Sequence, residues 1–130
     1  MNARILYIED NDQNFYLVSF ILTASGCEVL RASDGPDGVE KAAKGWADLI
    51  LLDIQLPGMD GYSVARALRS YPALAGTPIV ALTSYAMAGD RERALAAGCT
   101  GYIEKPIDPS SFAEQVELHL RAAGQAGSTG

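Results

Sequence analysis

The residues of this chain able to do chemistry stand immediately after short apolar runs. Glu9-Asp10 follow the run 5–8, Asp53 follows 49–52, Thr83-Ser84 follow 79–82, and Glu104-Lys105 follow 101–103. If those runs lie side by side, carboxylates, a hydroxyl and an ammonium group converge on one small volume. Carboxylates held together repel one another, which raises at least one pKa unless a cation intervenes. With Glu9, Asp10 and Asp53 as oxygen donors the cation is hard and divalent. Mg²⁺ fits best, because it keeps several waters and binds through a few carboxylates plus a phosphate, with Mn²⁺ as its substitute. No DxDxDG-like string is present, which argues against a Ca²⁺ loop. A metal there leaves Asp53 able to attack phosphorus and form an aspartyl phosphate. Lys105 and the metal would neutralise charge on the transferring group, and the Thr83 hydroxyl would donate a hydrogen bond to it.

Each of these residues also has an ordinary structural role. An acid after a strand caps the next helix, the better single explanation of Asp10. A threonine there is commonly a turn residue, and Lys105-Pro106 alone would be a loop. Their joint placement favours the chemical reading, provided the backbone brings the runs together.

The backbone pattern does so. Apolar runs at 5–8, 28–31, 49–52, 79–82 and 101–103 alternate with amphipathic segments at 14–25, 36–44, 62–70, 87–97 and 109–123. The first, third and fourth runs are apolar throughout, as parallel strands covered on both faces must be. The last segment reads clearly as a helix, with Asp108 as cap, Pro109 at its first position, and Phe112, Val116 and Leu120 on one face. Gly26, Gly45 and Gly98 fall where helices must stop. The alternation predicts a flavodoxin-like (βα)₅ fold, a doubly wound five-stranded parallel sheet of order 2-1-3-4-5. Ligands of such sheets bind outside the carboxyl ends of the strands. Strand 2 ends in Arg31-Ala32-Ser33, with no comparable set, and is the outer neighbour of strand 1. The polar ends of strands 1, 3, 4 and 5 are then contiguous, spaced ~5 Å apart.

Bulk properties bound the rest. The 130 residues are enough for one core, expected over residues 1–123, with 124–130 as a flexible Gly/Ser tail. A net charge of -6 argues against a grip on nucleic-acid phosphates. Cys27 and Cys99 are isolated among apolar residues, as buried free thiols in a reducing compartment are. One histidine, His119, removes most zinc sites and histidine-based catalysis. The start of the chain leads directly into strand 1 without a signal-peptide stretch, and no apolar run approaches membrane-spanning length. A cytoplasmic location is expected.

The strings ILYIEDN, LILLDIQLPGMDG, PIVALTS and GYIEKPID, at these separations, resemble the receiver domain of two-component response regulators over roughly residues 3–122. Within that family the EDN start and the DIQLP string are most similar to stand-alone regulators of the DivK type. The resemblance implies that Asp53 accepts a phosphoryl group from a phosphohistidine on a sensor histidine kinase or histidine phosphotransfer protein. It implies that Glu9, Asp10, Asp53 and the main-chain carbonyl of Gln55 surround Mg²⁺, that Lys105 pairs with the phosphoryl group, and that the Lys105–Pro106 peptide is cis. Thr83 and Tyr102 match positions that couple phosphorylation to rearrangement of the face formed by strand 4, helix 4, strand 5 and helix 5. Gln55 and Tyr85 match positions that influence phosphoryl lifetime. Such a protein is an autocatalytic phosphoacceptor that dephosphorylates itself. It is not a turnover enzyme on an external substrate, and it signals to a downstream protein as a monomer or a phosphorylation-linked homodimer.

Helix 1 adds a surface. At 100° per residue Asn14, Val18, Ile21, Leu22 and Ser25 face inward, and Tyr16 and Phe20 face away, beside the acidic pocket. Exposed aromatics at that spacing suit docking of a partner's helices, or else lie under a loop. In receivers this helix commonly meets the histidine-bearing partner. Competing readings are a docking-only receiver, against which the intact acid, threonine and lysine set argues, and a receiver fragment of a hybrid kinase, against which Met1 close to strand 1 argues. A haloacid-dehalogenase-type phosphatase would need DxDxT, whereas Asp53 is followed by Ile54-Gln55-Leu56-Pro57. GxxxxGK[ST] and GxSxG are absent as well.

Overall fold

Leucine- and isoleucine-rich runs that are apolar throughout can satisfy both faces only when buried on both, and the computed structural model, which describes residues 1–55, 60–84 and 88–129, places them so. β1 (Arg4–Ile8), β3 (Leu49–Asp53) and β4 (Ile79–Thr83) are buried along their whole length apart from Arg4. β2 (Glu28–Ala32) alternates exposed with half-buried positions until Ala32, the pattern of an edge strand. β5 (Gly101–Glu104) forms the other edge. All neighbours pair in parallel, and the order is β2-β1-β3-β4-β5, as the alternation predicts.

Five helices cover the sheet: α1 (Asp12–Ala24), α2 (Gly35–Ala43), α3 (Gly61–Arg69), α4 (Ala88–Ala96) and α5 (Phe112–Thr129), with a 3₁₀ turn at Pro72–Leu74. Alternate side chains of the central strands build two cores. Tyr7, Leu49, Leu51 and Leu82 pack with Val18 and Leu22 of α1 and with Phe112 and Val116 of α5. Leu6, Ile8, Ile50 and Leu52 pack on the opposite face with Ala42 of α2, Val64 and Leu68 of α3 and Ala94 of α4. Gly26, Gly45 and Gly98 adopt left-handed backbone after α1, α2 and α4. Both cysteines are buried and free. Among the described residues no helix is long and apolar enough to cross a membrane.

Local chemistry sets the helix ends. Asn11, Asp34 and Asp60 cap α1, α2 and α3, each accepting a hydrogen bond from a backbone N–H of the first turn. At α5 the expected start at Pro109 becomes a tighter turn. Asp108 accepts from the Ser110 N–H at 3.0 Å and from the Ser110 and Ser111 hydroxyls at 2.8 and 3.2 Å, and regular helix begins at Phe112. Serines compete with the backbone for such bonds, which delays the helix. The backbone of α5 then continues to Thr129, through most of the segment read as a tail, because adding a residue to a nucleated helix is far easier than starting one.

Candidate functional site

Strand register brings the polar ends together. Ile8 lies opposite Leu52, Asp53 opposite Leu82, and Thr83 opposite Glu104. Asp53 is the last residue of the central strand, buried with 3% of its surface exposed. Gly61, the first residue of α3, makes room for the chain beyond it: a Cβ there would sit 2.5 Å from the Ile54 Cα.

Three groups hold the Asp53 carboxylate. The Gln55 N–H donates to Oδ1 at 2.8 Å, the Lys105 ammonium donates to Oδ2 at 2.7 Å, and the Glu9 carboxyl is within hydrogen-bond reach. Burial opposes the charge on Asp53, but the bonds from Glu9, Lys105 and Gln55 outweigh it and hold the carboxyl below the usual range. Glu9 takes the opposite course. It is fully buried, and burial together with its bond to Asp53 pushes it up to about 8, against the bond donated by Asn14 Nδ2 to its Oε1 at 2.6 Å. Negative charge in the pair is therefore favoured on Asp53 over Glu9.

Glu9 Oε2 is buried and accepts no hydrogen bond from an N–H or hydroxyl among the described residues. A buried carboxylate oxygen left in this way, next to a second carboxylate, is a ligand position for a hard cation. The sequence reading expected three acids in this cluster. The structure joins Glu9 to Asp53 and leaves Asp10 exposed at the rim, and among the described residues no three His, Cys, Asp or Glu side chains gather closely enough to form a metal cage. That is the donor set of an ion that retains water, as Mg²⁺ does, and the residues fit it. Asp10 is also released from the capping role, which Asn11 fills.

The profile of the response regulator receiver domain matches residues 5–117 of the chain. The chain belongs to that family. The receiver is 38% identical over 120 residues to the polar-differentiation response regulator DivK of Brucella ovis, covering 92% of this chain and 98% of that protein. It is similar to the receiver domain of a sensor histidine kinase from Pseudomonas aeruginosa, solved with a magnesium ion coordinated in the active-site cleft. The identity there is 36% and the TM-score 0.81, over 95% of this chain and 99% of that one. It is also similar to the chemotaxis response regulator CheY4 of Vibrio cholerae, at 29% identity and TM-score 0.86, over 92% of this chain and 99% of that one. This is therefore a phosphorelay response regulator of a two-component system, a signalling protein and not a turnover enzyme.

On the far side of the receiver's pocket, Thr83 is buried at the end of β4, and its carbonyl accepts from the Lys105 N–H at 2.8 Å. The Lys105–Pro106 peptide is cis. Tyr102 is half-buried on β5, its ring 5.8 Å from the guanidinium of Arg91 on α4. Tyr16 and Phe20 are 70% and 77% exposed, so α1 turns them outward as its periodicity predicts. Tyr85 lies outside the described residues.

Several contacts around the pocket are not legible in the sequence. Asn14 was read only as an inward position of α1, yet its amide fixes one Glu9 oxygen. The Ser84 hydroxyl donates to the Gln55 side-chain carbonyl at 3.2 Å, linking the two loops at the mouth. Arg31, on the strand set aside as lacking chemistry, reaches the main chain of Glu9 and Asp10. No pairwise spacing announces these contacts, since each joins segments brought together only when the sheet and its helices are assembled.

Proposed function

We propose that Asp53 is the phosphoryl acceptor of this receiver, taking the group from a phosphohistidine of a sensor kinase or phosphotransfer protein. The observation that carries this reading is the state of Asp53: buried, held ionised between the Gln55 N–H and Lys105, and set at the end of the central strand. In the transfer an Asp53 oxygen attacks phosphorus. The P–O bond forms as the P–N bond breaks, and the electron pair of that bond returns to the imidazole nitrogen. Lys105 neutralises charge on the phosphoryl oxygens, and the Thr83 hydroxyl donates to one of them. Glu9, Asp10 and Asp53, with the main-chain carbonyl of Gln55, would hold Mg²⁺ or Mn²⁺. When bound, the ion supplies positive charge to the transferring phosphoryl group and relieves repulsion among the carboxylates. The same site, with water in place of the imidazole, hydrolyses its own acyl phosphate, and Gln55 and Tyr85 tune that rate.

Added charge at Asp53 draws Thr83 inward and lets Tyr102 take the space it leaves, which changes the α4-β5-α5 face offered to a downstream protein or a second copy. Tyr16 and Phe20 line an apolar groove of about 540 Å³ along α1 and serve as the docking surface for the histidine-bearing partner. Buried free thiols and the absence of a membrane-spanning helix among the described residues support a cytoplasmic setting.

The test is incubation with acetyl phosphate and Mg²⁺, followed by intact mass measurement. One phosphoryl adduct is expected, dependent on Mg²⁺ and lost in Asp53→Asn. No adduct at saturating donor would reduce this receiver to a docking module. The double variant Tyr16→Ala, Phe20→Ala should still react with acetyl phosphate but transfer poorly from a phosphohistidine donor, and equal loss with both donors would remove α1 as the docking surface.

A further inference from the structure

Arg31 is the penultimate residue of β2, whose carboxyl end contributes no acid to the pocket, and its side chain crosses to the end of β1. Its Nε donates to the Glu9 carbonyl at 3.1 Å, one terminal nitrogen to the Asp10 carbonyl at 3.0 Å, and the other to the Asp12 carboxylate at 2.7 Å. Register allows this reach, because Arg31 lies opposite Tyr7 in the parallel pair. The residue is itself held through both its side chain and its main chain. The guanidinium lies 5.0 Å from the Phe15 ring, which stacks on Tyr7, while the Arg31 carbonyl accepts from Lys41 Nζ at 2.8 Å. Only 24% of the side chain is exposed.

We infer that Arg31 is a positioning residue for the cation site: its guanidinium fork holds the main chain of Glu9 and Asp10 so that their carboxylates are presented in one arrangement. This inference rests on the reading of Glu9, Asp10 and Asp53 as cation ligands. The division of labour around Glu9 supports it. Asn14 holds the Glu9 carboxylate, but no other described side chain holds the two carbonyls that orient the turn carrying both acids. Planar geometry is essential, since a rigid fork contacts three acceptors at once and a lysine ammonium is a single point of charge. Outer groups that orient metal ligands alter affinity about 10–100-fold when removed.

Charge alone predicts the opposite sign. A cation beside an acidic pocket repels a divalent ion, so deleting it should tighten binding. Asp12, paired to the guanidinium at 2.7 Å, already offsets much of that field. Positioning therefore outweighs repulsion, and Arg31→Met should bind Mg²⁺ more weakly despite the gain of negative charge.

The experiment measures Mg²⁺ affinity by calorimetry, and Mn²⁺ affinity by electron paramagnetic resonance, for the full chain, Arg31→Met and Arg31→Lys, well below their unfolding temperatures. Both variants should bind about 10-fold more weakly, and their shortfall in acetyl phosphate labelling should be made up by raising Mg²⁺. Tighter or unchanged binding in Arg31→Met overturns the inference, as does wild-type affinity in Arg31→Lys, which would assign the effect to charge. If Arg31→Met does not fold, Arg31→Lys, which keeps stem and charge but loses the fork, carries the test. If the wild-type chain neither binds the ion nor takes the phosphoryl group, the proposed function fails. If it does both and the variants match it, only the role of Arg31 fails.

Discussion

The two flanks of the Asp53 pocket are held by different forces. On the β1 flank hydrogen bonds converge: Asn14 on the Glu9 carboxylate, Arg31 on two successive carbonyls, and Asn11 on the first turn of α1. On the β5 flank Lys105 is tied to Asp53 and to the Thr83 carbonyl, but Tyr102 is kept by packing and by the Arg91 guanidinium. Hydrogen bonds are directional and select one geometry, whereas packing and cation–π contacts have broad minima. The β1 flank, proposed to present ligands to an ion, is thus held in one arrangement, and the β5 flank around Tyr102 is held by contacts compatible with more than one.

The largest break in this comparison is expected from Lys105, which on the β5 flank touches the Asp53 carboxylate proposed as the acceptor. Lys105→Ala should slow acetyl phosphate labelling about 10²–10³-fold, the usual effect of removing one charge-stabilising donor. An intact-mass time course measures it, and an unchanged rate would take the β5 flank out of the chemistry.

A smaller effect is expected on the β1 flank, read through pH. Glu9 titrates at about 8 in the folded chain, above its ordinary 4.5. Across that window the folded state keeps a proton that the unfolded state has lost, so the Glu9 contribution makes stability fall as pH rises. One proton contributes a slope of no more than about 1.4 kcal/mol per pH unit. Asp53, held below its ordinary value, completes its titration at lower pH and adds nothing to this window. Urea unfolding in EDTA between pH 5 and 8 should show the slope, and Glu9→Gln should flatten it. A slope that survives the substitution would place its source elsewhere.

The smallest effect sharpens the contrast. Arg91→Ala removes the cation over Tyr102 and should lower stability by only about 0.5–1 kcal/mol in urea melts, as an exposed cation–π contact does. A loss of several kcal/mol would show that the β5 flank is held as firmly as the other.

Much of this receiver was legible beforehand. Runs apolar on every residue had to be central strands, so the sheet order followed, and with it the adjacency of Glu9, Asp53, Thr83 and Lys105. Exposure of Tyr16 and Phe20 followed from helical period alone. Other details have local causes. Asn11, one residue nearer the helix than Asp10, takes the capping role and accepts the Asn14 N–H at 2.9 Å. Of the acids proposed as cation ligands, alternation along the chain carries Glu9 into the interior and leaves Asp10 at the surface.

By itself, then, the sequence determined which residues end which strands, because hydrophobic periodicity is a local property that needs no partner. Only the tertiary structure decided how those residues are held: Glu9 buried beside Asp53, Asn14 reaching back to Glu9, and Arg31 crossing from an edge strand to the turn that bears the acids. Such contacts join segments remote in the chain, and their geometry depends on strand register and on the direction of a side chain out of its strand. Neither is set until the sheet is assembled.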